Sequence, residues 1–243
     1  MSAWQQNSSE TPNSQDHSIY PLDYSKPGTI FVLNYTEFKD DEPSNADNRE
    51  LANVFAHELR FSPKFRRNET ASMTRKIISR YSSREYREND CLVCFIMAYG
   101  KKDEILTKDS LINLNEFISD FKTSQTLASK PKLFFVQVWN DEKEFEESST
   151  ANLQIDVEAD LVCYQVEGPK SRMYPPESDE KGSIFIQALC NAIRTSPAEE
   201  LASILRSVNK SIKQKGVVVS EIKNAMSKKL YFKVCKKAFP LEN

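Results

Sequence analysis

The sequence predicts an α/β domain in which a mostly parallel sheet lies between layers of helices, and two observations lead there. Short apolar runs at Ile30–Leu33, Cys91–Met97 and Leu133–Val136 have the length and character of strands buried on both faces. Between them apolar residues return at helical spacing, at Leu51, Val54, Phe55 and Leu59, at Met73, Ile77 and Tyr81, and at Leu114, Phe117 and Phe121. Such helices should cover the two faces of the sheet.

Residues 1–26 come first and are rich in Ser, Asn, Gln, Asp and Pro, without the apolar core of a secretory signal. They read as a short disordered arm. After the elements named above, Leu161–Tyr164 gives a further strand and Ser183–Ile193 a further helix. Ser196-Pro197-Ala198-Glu199 has the form of a capping box, with serine as N-cap, proline at the first helical position and glutamate three residues after the serine. The helix it predicts buries Leu201, Ile204, Leu205 and Val208. Gly216-Val217-Val218-Val219 opens the last strand region.

Composition narrows the function classes. A chain of 243 residues with 39% apolar content can bury a substantial core. A formal charge of −2 disfavours a general nucleic-acid or anionic-membrane binder, either of which favours a basic stripe. Lys210, Lys213 and Lys215 lie along a helix end and read as solvated surface. No run approaches the roughly 20 consecutive apolar residues of a membrane span. The cysteines, 5 in number, fit a reducing interior better than a disulfide framework, so a cytoplasmic location is expected. Cys91 and Cys94 have metal-ligand spacing, but no second pair follows and they are expected to be buried strand residues, with no metal and no cofactor. His17 and His57, the only histidines, fall in the polar arm and on a helix.

The run from Lys130 to Gln137 is followed by Val138-Trp139-Asn140-Asp141, and an earlier buried strand ends at Ala98-Tyr99-Gly100. These segments resemble the caspase family, whose catalytic strand ends in Q-A-C-R/Q-G and whose histidine stands in an S-H-G turn. The resemblance spans residues 21–232 with its landmarks in family order: Gly28–Asn34, Glu50–Phe55, Asn89–Ile96, Ile155–Asp160, Ser183–Cys190 and Lys229–Phe232, the last resembling the family's closing strand. It implies a three-layer sandwich around a six-stranded, mostly parallel sheet. It divides the chain into a large-subunit-like part at 27–139, an intersubunit-type linker at 140–154 and a small-subunit-like part at 155–243. Residues 142–154 contain no aspartate, and Asp141 and Asp156 sit against predicted strands, so the linker is expected to remain uncut.

The same resemblance places Trp139 at the nucleophile position and Tyr99 at the general-base position. A cysteine protease needs a thiolate and an imidazole, and neither an indole nor a tyrosine with a reference pKa of about 10 replaces them near neutral pH. Trp139 either fills a disused site or blocks the groove. Gly100 matches the glycine that donates to the oxyanion, and it also suits a turn. In the specificity pocket, where the family has two arginines and a glutamine, the sequence gives Asp41, Glu177 and Gln137, an acidic pocket. The dimer-edge strand matches about Val217–Met226, with Val219, Glu221, Ile222 and Lys223 at its centre.

The resemblance therefore implies an inactive, decoy-type caspase homologue of the short-prodomain effector type, acting in apoptosis. Its expected partner is an active paralogous caspase, whose activity it raises on heterodimerising. Inhibition by sequestration, an enzyme with relocated catalytic residues, and a plain scaffold are the alternatives.

Overall fold

Each apolar run becomes a strand with no exposed face. In a computed structural model that describes residues 17–22, 26–35, 46–101, 103–140, 160–175 and 182–232, the chain opens with β1 (Gly28–Tyr35) and α1 (Ala46–Leu51), which a π-helical stretch at Ala52–Glu58 continues. Next come β2 (Ser62–Arg67), α2 (Ala71–Ser82), β3 (Cys91–Lys101), the hairpin of β4 (Glu104–Leu106) and β5 (Leu111–Asn113), and α3 (Leu114–Lys122). The second half contains β6 (Lys132–Asn140), β7 (Leu161–Pro169), α4 (Lys170–Met173), α5 (Ile184–Thr195), α6 (Leu201–Lys213) and β8 (Val218–Asn224).

The main sheet runs β2-β1-β3-β6-β7-β8, and β4 and β5 extend from the end of β3. Every pairing along that path is parallel except β7 with β8. The period-two alternation of strand side chains splits the core into two layers. Val93, Phe95, Leu133, Phe135 and Tyr164 face α1, α5 and α6, with Phe95 stacked on Phe135 at 4.9 Å and Tyr164 on Phe185 at 5.5 Å. Phe31, Leu92, Phe134 and Val136 face α2 and α3. This is the expected three-layer sandwich, with six strands in the main path.

Four local expectations need correction, the first being the extent of the disordered arm: within residues 1–26, Tyr20 is buried in the core and its hydroxyl donates to Asp160 Oδ1. Ser196 does not cap α6: Glu199 N–H donates to the Ser196 carbonyl at 3.0 Å in a turn, and the helix starts at Leu201 behind Glu200. Glu200 bridges Tyr231, and Leu201 N–H donates to the Leu230 carbonyl at 2.8 Å, so a long-range attachment overrides the local capping signal. Lys229–Phe232 makes only isolated bridges, Lys229 to Ile19 and Tyr231 to Glu200, rather than a closing strand. The strand expected over about Val217–Met226 is shorter, β8, because Asn224 turns the chain by accepting from Met226 N–H at 3.1 Å. Finally, β2 carried no recognisable strand signal, since its sequence is Ser-Pro-Lys-Phe-Arg-Arg; an edge strand tolerates that proline.

Candidate functional site

The carboxyl ends of parallel strands converge on one rim of the sheet, where α/β folds place their ligand crevices. Here β3 ends at Tyr99 and Gly100, and β6 at Gln137, Trp139 and Asn140. The register puts Tyr99 directly beside Trp139, and Trp139 beside Gly168 of β7. Trp139 is only 4% exposed, packed in the layer shared with α1 and α5 and edge-on against Tyr174 at 5.7 Å. Its indole is part of the core.

Beneath it runs a chain of hydrogen bonds. Gln137 Nε2 donates to Tyr174 Oη at 2.7 Å, Tyr174 Oη donates to Asp47 Oδ2 at 2.9 Å, and Ser183 N–H donates to Asp47 Oδ1 at 2.7 Å. These residues come from β6, the segment after α4, the first turn of α1 and the N-cap of α5, so the network ties together the elements that frame the rim. Gly182 permits the close approach: its φ is +87°, and a Cβ there would lie 2.2 Å from Asp47 Oδ1.

The electrostatics follow from burial. Asp47 has its carboxyl pushed up to about 6, chiefly by burial and slightly by Glu50, against the opposing hydrogen bonds from Ser183 and Tyr174. Burial, then the neighbouring Asp47 charge, holds the Tyr174 hydroxyl well above the ordinary tyrosine range. The Tyr174 proton is therefore committed to Asp47 and its oxygen must accept from Gln137. That fixes the Gln137 amide with its oxygen turned away, and this oxygen has no partner among the described residues.

No cysteine lies at the rim among the described residues. Cys91, Cys94, Cys163 and Cys190 are free and buried. Burial is the first cause raising all four thiols, with Cys163 at about 12, whereas a reactive cysteine is exposed and lowered. Cys91 and Cys94 belong to opposite layers of the core and cannot ligate one ion together. His57 is exposed on the π-helical stretch and His17 is exposed near the amino terminus.

Gly100 pairs with Ile105 in the β3–β4 hairpin, where a Cβ would fall 2.1 Å from the Glu104 carbonyl oxygen, so the close backbone approach alone requires glycine. Asp41 and Glu177 lie outside the described residues, as do Asp141 to Ala159. Val219, Glu221, Ile222 and Lys223 lie on β8 at the end of the sheet, with Ile222 50% exposed. Sequence reasoning missed Asp47 and Tyr174. Only an acid at a helix start beside an apolar stripe hinted at the first, and nothing marked the second.

Comparison with known proteins accounts for this architecture. The family model for the caspase domain matches residues 28–232, and the chain belongs to the caspase family. It is 24% identical to caspase-8 of Rattus norvegicus over 85% of this chain and 49% of that protein. It is also 24% identical to caspase-1 of Spodoptera frugiperda, over 79% of this chain and 72% of that protein. The chain thus spans about half the length of the caspase-8 relatives it matches. Among solved structures it resembles that of pro-Sf-caspase-1, with a TM-score of 0.76, 20% identity, and 90% of this chain and all of that one covered.

Proposed function

We propose that this chain is a non-catalytic member of the caspase family that pairs with an active paralogous caspase in the cytoplasm, raises its activity and so regulates apoptosis. The observation that carries the proposal is Trp139. At the end of β6, where the family signature has its nucleophile, a buried indole packs on Tyr174 and has Tyr99 as its strand neighbour. Neither side chain supplies a thiolate or an imidazole. Among the described residues the buried, raised thiols favour no substitute nucleophile. A folded protomer whose rim is already filled and hydrogen-bonded can still offer its sheet edge to a partner and order the partner's loops.

The test measures hydrolysis of aspartyl peptide reporters by the purified chain, by an active paralogous caspase, and by the two mixed. The expected result is no turnover by the chain alone and increased turnover in the mixture. Lower turnover in the mixture would replace activation by sequestration. Turnover by the chain alone, or labelling of a rim cysteine by a peptide inhibitor, would overturn the proposal in favour of relocated chemistry.

A further inference from the structure

The two edges of the sheet are built differently. β2 carries Pro63, Lys64, Arg66 and Arg67, the proline and charges that keep an edge from recruiting another strand. β8 has no proline, and its charged side chains are folded inward: Lys223 Nζ meets Glu221 Oε1 at 2.6 Å, with the two side chains only 9% and 13% exposed. On its other face Ile222 is 50% exposed. Among the described residues the β8 edge is therefore open and apolar on one face.

Its second face carries an uncancelled charge. Glu167 on β7 pairs in register with Val218 of β8, and its carboxylate accepts from Gln165 Nε2 at 2.6 Å. Among the described residues Ser220 is its other hydrogen-bond donor, and no cation comes within ion-pair distance. Burial first, then the Asp103 and Glu221 carboxylates, push its carboxyl upward. The cations near this face are Lys223, already paired with Glu221, and Lys122 at the end of α3, which acts on Cys163. Among the described residues Glu167 is thus a carboxylate in excess of the cations on this face.

We propose that the β8 edge accepts an antiparallel strand from a partner chain whose side chains on the α3 face are basic, and that this requirement discriminates against a second copy of this chain. Strands lie about 4.8 Å apart, so a residue on an added strand sits roughly 10 Å from the β7 backbone, within reach of an arginine extended toward Glu167. A second copy brings the same excess carboxylate and cancels nothing. The inference rests on the pairing role proposed above and specifies the partner's chemistry.

Two labelled, capped peptides copying Gly216–Met226 test it, one with Glu221→Arg and Lys223→Arg, the other with Glu221 kept and Lys223→Glu. Fluorescence anisotropy against the full chain should show at least about tenfold tighter binding of the arginine peptide. The preference should fall away in the Glu167→Gln chain, and binding of both peptides should be lost in the Ile222→Lys chain, with unchanged thermal melting showing that each variant folds. Equal affinities, no binding of the arginine peptide, or a preference that survives Glu167→Gln overturns the inference. Each of these can occur while the mixed-protease assay still shows activation, so the two proposals fail separately.

Discussion

Replacing Asp47 by asparagine isolates the energetic cost of the buried network. The carboxyl is raised from an ordinary 3.8 to about 6, a gap of roughly 2 units, and at 1.36 kcal/mol per unit the ionised side chain costs the native state about 3 kcal/mol. Because the native pKa lies above the unfolded one, the stabilisation from holding the proton is fully present below pH 3.8 and is lost as the pH rises through about 6. Asparagine keeps the oxygen that accepts from Ser183 N–H. Its amide nitrogen can donate to Tyr174 Oη, whose proton then turns to Gln137 after a half-turn of that amide, reversing the chain without breaking it. Urea unfolding of both proteins from about pH 4.5 to about pH 7.5 should show the variant gaining relative to the wild type by about 2 kcal/mol, the part of the ~3 kcal/mol that falls in this range. Asp160, which is lowered and acts with the opposite sign, is common to both proteins and cancels in the difference. A difference that is flat with pH, or that favours the wild type increasingly as pH rises, would refute the argument.

Other expected outcomes rest on the same rim. Trp139→Ala should lower unfolding stability by roughly 3–5 kcal/mol, measured by urea titration, because it removes a buried indole from between Tyr174 and the sheet. Gly100→Ala should cost about 1–3 kcal/mol in the same assay, since the new Cβ meets backbone rather than a movable side chain. Trp139→Cys with Tyr99→His should leave aspartyl cleavage at least about a hundredfold below an active relative, because the Gln137 donor is already committed to Tyr174; robust turnover by that double variant would show the pocket to be intact. Mass spectrometry after a brief thiol pulse should find Cys91, Cys94, Cys163 and Cys190 unlabelled in the native protein and labelled in urea.

Interior strands were legible because burial on both faces leaves an uninterrupted apolar run, as in Leu133–Val136, and α3 and α5 because their stripes repeat at 3.6 residues. What escaped depends on contacts far apart in the chain. β2 is held by parallel pairing with β1 and by Phe65 packing on the core, neither of which a polar hexapeptide reveals. The start of α6 is set by residues 230 and 231, some thirty positions downstream. At the rim, the strand positions of Tyr99, Gln137 and Trp139 followed from the sequence signature. Asp47 did not, because an acid at the start of a helix usually stays in water, and only the approach of Gly182 and Tyr174 encloses this one.

The unequal edges of the sheet also limit how large an assembly can grow. A sheet with two receptive edges can add strands at both and propagate into a fibre, whereas one with a single receptive edge is finished once that edge is occupied. With Pro63 and its neighbouring cations at one end and Ile222 at the other, the association proposed above would terminate at two chains. The proline and cations of β2 work against growth from that end, so the two ends of the sheet set opposite limits on strand addition.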